Sequence, residues 1–427
     1  MKIKTGSDFS GVGAFDQALA RLGYVQDKKF ACDMDKYARQ TYIHNYGEPF
    51  YYPENVYDRA IPTESLDIYM TSPPCQAFSL AGKRKGEEDK RGVLFYNSHE
   101  FIKVNNPRYF IFENVKGLLS DDGGKTFQRW IDYLAGKTVN GNPVIFPHED
   151  SVPYHVYYQV LNAKHYGVPQ NRERIFIIGV RDDKDNDFSF PKTVPLVKRL
   201  KDVLETFETS RFETQEEFKA YMAKYFLSDK IIQTLFHSSS GKDGCFEPAK
   251  CCDEEKVSQA VTARYAKMGR QDPYIQVKSA TLSGYEVATE NDSINFSVPN
   301  SETRCGRVGK GVAQTLDTAC NQGVIMYDKR RNKEVEIKHE DAFCYGKSAE
   351  FGVTFSTGYA NTIDCKVKQG VNMDSQIRRL TPRECFRLMD FPDAFTWPVS
   401  DSQAYKQAGN SIVVNVLSEI ISKLKFE

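Results

Sequence analysis

Five short stretches of the chain hold residue types that do chemistry. In Thr71-Ser72-Pro73-Pro74-Cys75-Gln76, two prolines stiffen the backbone ahead of a thiol. A thiol becomes a nucleophile when a positive neighbour or a helix N-terminus lowers its pKa from about 8.5. Glu113-Asn114 offers a carboxyl group, and Gln170-Asn171-Arg172-Glu173-Arg174 offers two cations. Together they supply a thiol, an acid and an arginine for one pocket. Phe9-Ser10-Gly11-Val12-Gly13 carries glycines that let a backbone approach a cofactor, and Asp33 follows about 20 residues later, where an acid accepts hydrogen bonds from ribose hydroxyls. Glycines plus acid point to an adenosine-bearing cofactor. Asp16 stands where the dinucleotide fingerprint has its third glycine, which disfavours a nicotinamide enzyme.

These residues need a frame that brings them to one edge. The first 180 or so residues alternate between apolar strand-like runs and amphipathic helical runs, the pattern of a mainly parallel sheet covered on both faces. Asp67 to Met70, Tyr109 to Phe112 and Arg174 to Val180 read as buried strands, and Phe15 to Leu22 and Tyr37 to Tyr46 as helices. In such a sheet ligands bind beyond the carboxyl ends of the strands. The glycines, Asp33, Pro74-Cys75 and Glu113-Asn114 all fall there. From about residue 190 the texture changes to charged helical stretches, Val197 to Thr206 and Thr214 to Phe226, and then to irregular Gly-, Ser-, Thr- and Asn-rich sequence. Three similar fragments recur in it, at Ser258 to Ala263, Ala313 to Thr318 and Ala360 to Asp364, too short and uneven for a solenoid. Order returns at Ile377, and an amphipathic helix after Ser411 is suited to pack back onto the first domain. The expected organisation is a catalytic and cofactor domain over 1–190, linker helices and an irregular second region over 191–375, and a returning segment over 376–427.

Composition limits the function classes. At 427 residues the chain can bury a full core. No window approaches the roughly 18 consecutive apolar residues of a membrane span, and no export signal is visible, so a cytoplasmic protein is expected. The 10 cysteines show neither disulfide nor zinc spacing, and the one local cluster, Cys245 with Cys251 and Cys252, lacks a second pair, so no metal is expected. Net charge is zero, so any nucleic-acid contact must be a local patch. Candidates are Lys83-Arg84-Lys85, Lys90-Arg91, Arg172 with Arg174, Lys329-Arg330-Arg331 and Arg378-Arg379.

Pro74-Cys75-Gln76-Ala77-Phe78-Ser79, Glu113-Asn114-Val115, Gln170-x-Arg172-x-Arg174, Arg379-Leu380-Thr381-Pro382-Arg383-Glu384-Cys385 and Gly409-Asn410-Ser411 resemble, in the same order, the signature blocks of DNA cytosine-5 methyltransferases. The resemblance covers about residues 5–180 and 376–427. It implies a Rossmann-like α/β domain that binds S-adenosyl-L-methionine, completed by the C-terminal segment, with a smaller irregular target recognition domain between. It also implies that Cys75 thiolate adds to C6 of a flipped cytosine, that Glu113 carries a proton and holds the N3 edge, that Arg174 holds O2, and that Arg172 supports the pocket. The cofactor would lie against Phe9, Gly11, Gly13, Asp33, Met34, Asp58, Leu94 and Asn410. Gln76, Ser79, Lys83, Arg84, Thr315 and, as second choice, Thr362 are the expected DNA contacts, with Lys83 to Gly86 as a loop closing on the phosphates. The family commonly has an acid two residues before the phenylalanine; Ser7 stands there, and Asp8 adjoins Phe9.

The implied partner is double-stranded DNA, with a cognate restriction endonuclease of the bacterial or phage type, and the protein is expected to act as a monomer. A tRNA cytosine-5 methyltransferase shares the catalytic blocks, but the long variable region favours DNA. A catalytically dead DNA-binding module is opposed by the intact Cys75, Glu113 and Arg174. An exocyclic-amine methyltransferase would need an aromatic ring where Cys75 stands.

Overall fold

The computed structural model describes residues 1–49, 51–73, 94–184, 187–225, 274–281, 285–289, 292–297, 301, 303–316, 322–327, 342–345, 354–356, 368–371 and 375–426. The chain forms two compact units: Met1–Val203 with Thr315–Cys320 and Pro382–Glu427, and Leu204–Gln314 with Asn321–Thr381.

The first unit is built on an eight-stranded mixed sheet. Its strands are β1 (Lys2–Asp8), β2 (Val25–Cys32), β3 (Ile68–Thr71), β4 (Tyr109–Val115), β5 (Thr138–Val139), β6 (Asn142–Pro143), β7 (Tyr154–Asn162) and, after the two-residue β8 (Gln170–Asn171), β9 (Glu173–Arg181). Their order across the sheet is β2-β1-β3-β4-β9-β7-β5-β6. The β2 to β4 half is parallel, whereas β9 runs antiparallel to both β4 and β7. Burial on both faces explains the unbroken apolar runs of β3 and β4. β7 escapes a sequence reading because both its faces are only partly buried, and His155, Tyr157 and Gln159 interrupt the apolar run.

Helices α1 (Ala14–Arg21), α2 (Lys36–Tyr46), α3 (Leu94–Asn105) and α4 (Lys125–Leu134) cover the sheet. Asp35 caps α2 by accepting from the Tyr37 and Ala38 amides, which starts that helix directly after β2. The core between α3, α4 and the sheet is aromatic: Phe95 stacks on Trp130 at 4.3 Å, and Tyr69 on Phe101 at 4.2 Å.

The stretch Val197 to Thr206, expected as a helix, makes only a single 3-10 turn at Leu200–Asp202. Asp202 closes that turn on the Arg199 amide, and the Val203 carbonyl, which a continuing helix would offer to Phe207, accepts from Arg387 at 3.3 Å. The helix expected over Thr214 to Phe226 is α5 (Gln215–Ala223), capped by Thr214. In the second unit follow β10 (Tyr274–Lys278), β11 (Tyr285–Thr289), β12 (Ser293–Asn295), β13 (Val308–Gly309), β14 (Ala313–Gln314), β15 (Gln322–Tyr327), β16 (Ala342–Tyr345), β17 (Thr354–Ser356), β18 (Lys368–Val371) and β19 (Ser375–Arg379). They form small antiparallel sheets, β10-β11, β13-β12-β15-β19 and β17-β16-β18.

The C-terminal segment supplies α6 (Pro382–Leu388), α7 (Asp401–Asn410) and α8 (Val414–Ile421) to the first unit. It is anchored by Lys406 to Asp35 at 2.6 Å, Thr41 to Gln407 at 3.0 Å, Arg21 to Asp390, and Tyr109 to the Lys425 carbonyl at 2.6 Å.

Candidate active site

The register of the parallel strands places the candidate residues on one edge. Asp8 lies opposite both Cys32 and Thr71, and Thr71 lies opposite Phe112. The next residues along that edge are therefore Phe9, Asp33, Ser72 and Glu113, side by side across four strands, with β4 continuing to Val115 against β9.

At the first of these exits Phe9 takes a left-handed conformation (φ 56°), as do Gly11 and Gly13. The Gly11 amide donates to Asp33 Oδ2 at 2.8 Å, and the Asp35 amide to Asp33 Oδ1 at 2.8 Å. Each carboxylate oxygen keeps a further lone pair. Burial pushes the Asp33 carboxyl above its ordinary range, against the pull of those two amides. A Cβ added at Gly11 would meet nothing within 4 Å, so the loop faces open space, whereas one at Gly13 would stand 2.3 Å from the Tyr46 ring. Met34 beside Asp33 is 82% exposed and presents an apolar face. Leu94 opens α3 half-buried, Asn410 ends α7 exposed, and Asp58 is exposed with its amide on the Asn55 carbonyl. Sequence reasoning missed Tyr52, whose hydroxyl lies 3.3 Å from Ser10 Oγ and whose ring carries the Arg39 guanidinium at 4.0 Å. No spacing rule connects a tyrosine beyond α2 to the first loop.

At the other end of the edge, Glu113 is buried, and Arg174 on neighbouring β9 reaches its Oε1 at 3.0 Å. Register explains the pairing: Glu113 faces Phe176 and Val115 faces Arg174, so the two side chains are diagonal neighbours on one face. Burial pushes the Glu113 carboxyl up, with Arg174 and then Arg172 pulling it down. Asn114 donates to the Pro73 carbonyl at 3.5 Å, tying β4 to the segment that leads toward Pro74. Arg172 is buried and donates to the carbonyls of Leu316 (3.3 Å), Gly409 (3.0 Å) and Ser411 (2.7 Å). It fastens the C-terminal segment to the sheet. Gln170 joins it there, donating to the Leu388 carbonyl at 2.6 Å and accepting from the Leu316 amide at 3.3 Å.

Cys75, Gln76, Ser79, Lys83, Arg84 and Thr362 lie outside the described residues, as does the cysteine cluster at 245–252. Of the described thiols, Cys32 and Cys385 are buried, and burial pushes Cys32 up to about 12, which suits a core residue and not a nucleophile. Thr315 was expected within the recognition region, yet Thr315–Cys320 belongs to the first unit. Its hydroxyl donates to the Asn171 carbonyl at 2.8 Å, and Arg172 holds the next residue. In the turn before β13, Arg307 is buried with its guanidinium on the carbonyls of Asn295 and Ser297. That turn is organised by Glu286, which accepts from the Gly306 and Val308 amides at 2.6 and 2.8 Å. Among the described residues no group of acids, histidines and cysteines is arranged to hold a metal, and no helix is long and apolar enough to cross a membrane.

The fold is a Rossmann-like α/β fold. Solved structures similar over 99% of this chain include a DNMT2 mutant from Spodoptera frugiperda (TM-score 0.54, 17% identity, 99% of that chain) and a putative DNA modification methyltransferase from an E. coli prophage (TM-score 0.53, 19% identity, 98% of that chain). The sequence goes further than the fold: the chain belongs to the C-5 cytosine-specific DNA methylase family, whose model matches residues 3–426. Its similar relatives include the type II methyltransferase M.HpaII of Haemophilus parainfluenzae, 30% identical over 97% of this chain and 87% of that protein. M.HhaI of Haemophilus parahaemolyticus is 29% identical over 96% of this chain and 91% of its own length. The orphan methyltransferase M.SPRI of Bacillus phage SPR is 29% identical over 99% and 97%. The activity is accordingly that of a DNA methyltransferase acting on carbon 5 of cytosine.

Proposed function

We propose that Cys75 is the nucleophile of this reaction, that Glu113 and Arg174 hold the target cytosine, and that S-adenosyl-L-methionine binds along the Phe9 to Gly13 loop. The observation that carries this reading is the buried Glu113–Arg174 pair. It lies at the exit of β4, next to the strand that leads to Pro74-Cys75. The open Gly11 loop, the two remaining lone pairs of Asp33 and the exposed apolar face of Met34 fit an adenosine with free ribose hydroxyls. Asp58, Leu94 and Asn410 would complete that pocket. When bound, the cofactor supplies an electrophilic methyl group.

The protein's part starts with the base, because C6 is inaccessible inside a duplex and the cytosine must be flipped out. Cys75 thiolate adds to C6, which makes C5 nucleophilic. A protonated Glu113 donates to N3, and Arg174 donates to O2, so the negative charge that develops on the ring is neutralised. Once C5 has accepted the methyl group, it loses its proton, and the electron pair left behind expels the cysteine sulfur from C6. Arg172 acts at one remove, by fixing the strand that carries Arg174. Gln76, Ser79, Lys83 and Arg84 would contact the DNA next to the flipped base, the second unit would read the sequence, and Thr315, with Thr362 as second choice, would be a further DNA contact. Double-stranded DNA is the substrate, the protein acts as a monomer in the cytoplasm, and a restriction endonuclease of the same specificity is its natural counterpart.

The test is a duplex carrying 5-fluorocytosine at the target position, because fluorine cannot leave as the C5 proton does and the adduct is trapped. A covalent complex that survives denaturing electrophoresis, and that needs both cofactor and Cys75, is expected. An adduct formed equally by Cys75→Ala would assign the attack to another thiol.

A further inference from the structure

Directly beneath the Phe9 to Gly13 loop lies a buried ion pair. Asp8 ends β1 with its side chain fully enclosed, and the Arg59 side chain is 2% exposed. Arg59 Nε donates to both carboxylate oxygens of Asp8, at 2.8 and 3.1 Å, and the Tyr69 hydroxyl adds a third donor at 2.6 Å. Arg59 Nη2 reaches Asn97 Oδ1 at 3.0 Å, and Asn97 in turn holds the Val56 carbonyl at 3.2 Å. The guanidinium lies 4.4 Å from the Phe101 ring centroid and 5.5 Å from that of Phe30. One charge pair thereby joins β1, the 51–61 segment, β3 and α3, the elements that border the strand-end edge.

Stability alone does not call for such a pair. Two charges withdrawn from water recover little more than their desolvation cost, and apolar side chains of similar volume commonly serve a fold as well or better. What the pair does accomplish is to immobilise Asp8, and the next residue is Phe9, held left-handed. A non-glycine residue keeps that conformation only where its surroundings over-determine it. Beyond Phe9, the Ser10 amide donates to the Cys32 carbonyl at 3.0 Å and Ser72 Oγ to the Phe9 carbonyl at 3.5 Å, so the strained residue is clamped from both sides.

We infer that the Asp8–Arg59 pair is a positioning device: it holds Phe9 and the following Ser10-Gly11 in the shape that receives the cofactor. Asp8 itself is enclosed, with a side chain that has no exposed surface and oxygens that accept from Arg59 and Tyr69 inside the core. The inference rests on the reading that S-adenosyl-L-methionine binds along this loop.

The test separates folding from binding. In Asp8→Leu/Arg59→Met both charges are removed together. The unfolding midpoint is expected at or above wild type, while calorimetric titration with S-adenosylhomocysteine gives a Kd weaker by about tenfold, the release of one strained residue. In turnover, KM for the cofactor rises by a similar factor, and kcat at saturating cofactor stays within about threefold. Tyr69→Phe keeps the ring on Phe101 and removes one donor to Asp8. It is expected to weaken S-adenosylhomocysteine about threefold with a midpoint within about 2 °C of wild type. A folded double variant with unchanged Kd, or an unchanged Kd in Tyr69→Phe should the double variant fail to fold, overturns the inference. If the wild type does not bind S-adenosylhomocysteine, or Asp33→Ala binds it equally well, the cofactor reading itself fails.

Discussion

Glu113 is an acid that burial keeps from ionising at its ordinary pH, and this has a measurable sign. A carboxyl whose pKa is raised on folding contributes stability that is fully present below its unfolded value, near 4.5, and lost as pH rises through the folded value. The wild type should therefore lose unfolding free energy relative to Glu113→Gln as pH is raised from about 4.5, read by urea denaturation at a series of pH values. Asp8 and Asp33 are raised in the same direction but are common to both proteins, so they cancel. A difference that is flat or grows with pH would contradict the raised value. Gly13 gives a second residue-scale expectation. At φ 85° and with the Tyr46 ring in the way, Gly13→Ala must accept both backbone strain and a displaced ring, a loss of about 2 kcal/mol in urea denaturation, accompanied by weaker cofactor binding. These positions were legible in the sequence because their demands are local. A glycine before a helix and an acid after a strand announce themselves within a few residues. Asp8 and Arg59 were not, because 51 positions separate two charges with no periodic relation.

At the scale of elements, strands β3 and β4 were readable from apolar runs bounded by polar exits, and α1 and α2 from their faces. The antiparallel turn-back through β7 and β9 was not, because partner choice depends on contacts between strands and not on either strand's own pattern. The same holds for Arg172. Its sequence neighbours suggest a pocket residue, while its guanidinium collects carbonyls from residues 144, 237 and 239 positions away. Hydrogen bonds to a charged donor are worth about 1.5–3 kcal/mol each, so Arg172→Met should cost at least about 3 kcal/mol and loosen α7 and α8 first. Hydrogen exchange of the α8 amides is the direct measurement; protection equal to wild type would mean that the segment is held without Arg172. In α8 itself, Leu417 is fully buried, and Leu417→Ala should cost about 2–5 kcal/mol by thermal or urea unfolding.

For the whole molecule, the division into two units shapes how specificity should be transplanted. Thr315–Cys320 counts with the first unit although it lies within the sequence of the second. A hybrid that takes residues 230–314 and 321–375 from a relative of different specificity, and keeps 315–320, is expected to methylate the donor's sequence with near-normal cofactor affinity. Exchanging 315–320 as well should lower activity without further changing the site, because Thr315 is seated on Asn171 and Leu316 on Arg172. Bisulfite mapping of the methylated cytosines reads both outcomes. A hybrid that is active and still modifies the original sequence would place recognition elsewhere.

The anchoring of the C-terminal segment also sets a clock. α1 is complete by residue 21, but its partners Asp390 and Asn415, and Phe426 against Tyr24, are made some 370 to 400 positions later. At roughly 5–20 residues per second, synthesis leaves the first strands waiting for tens of seconds with one side uncovered. Most chains of this length can finish an N-terminal domain while the ribosome is still working on the remainder. This one cannot close its catalytic unit until residue 426 has emerged. A message stopped before residue 382 is therefore expected to leave α1 and α2 without their contacts to Asp390, Lys406 and Gln407.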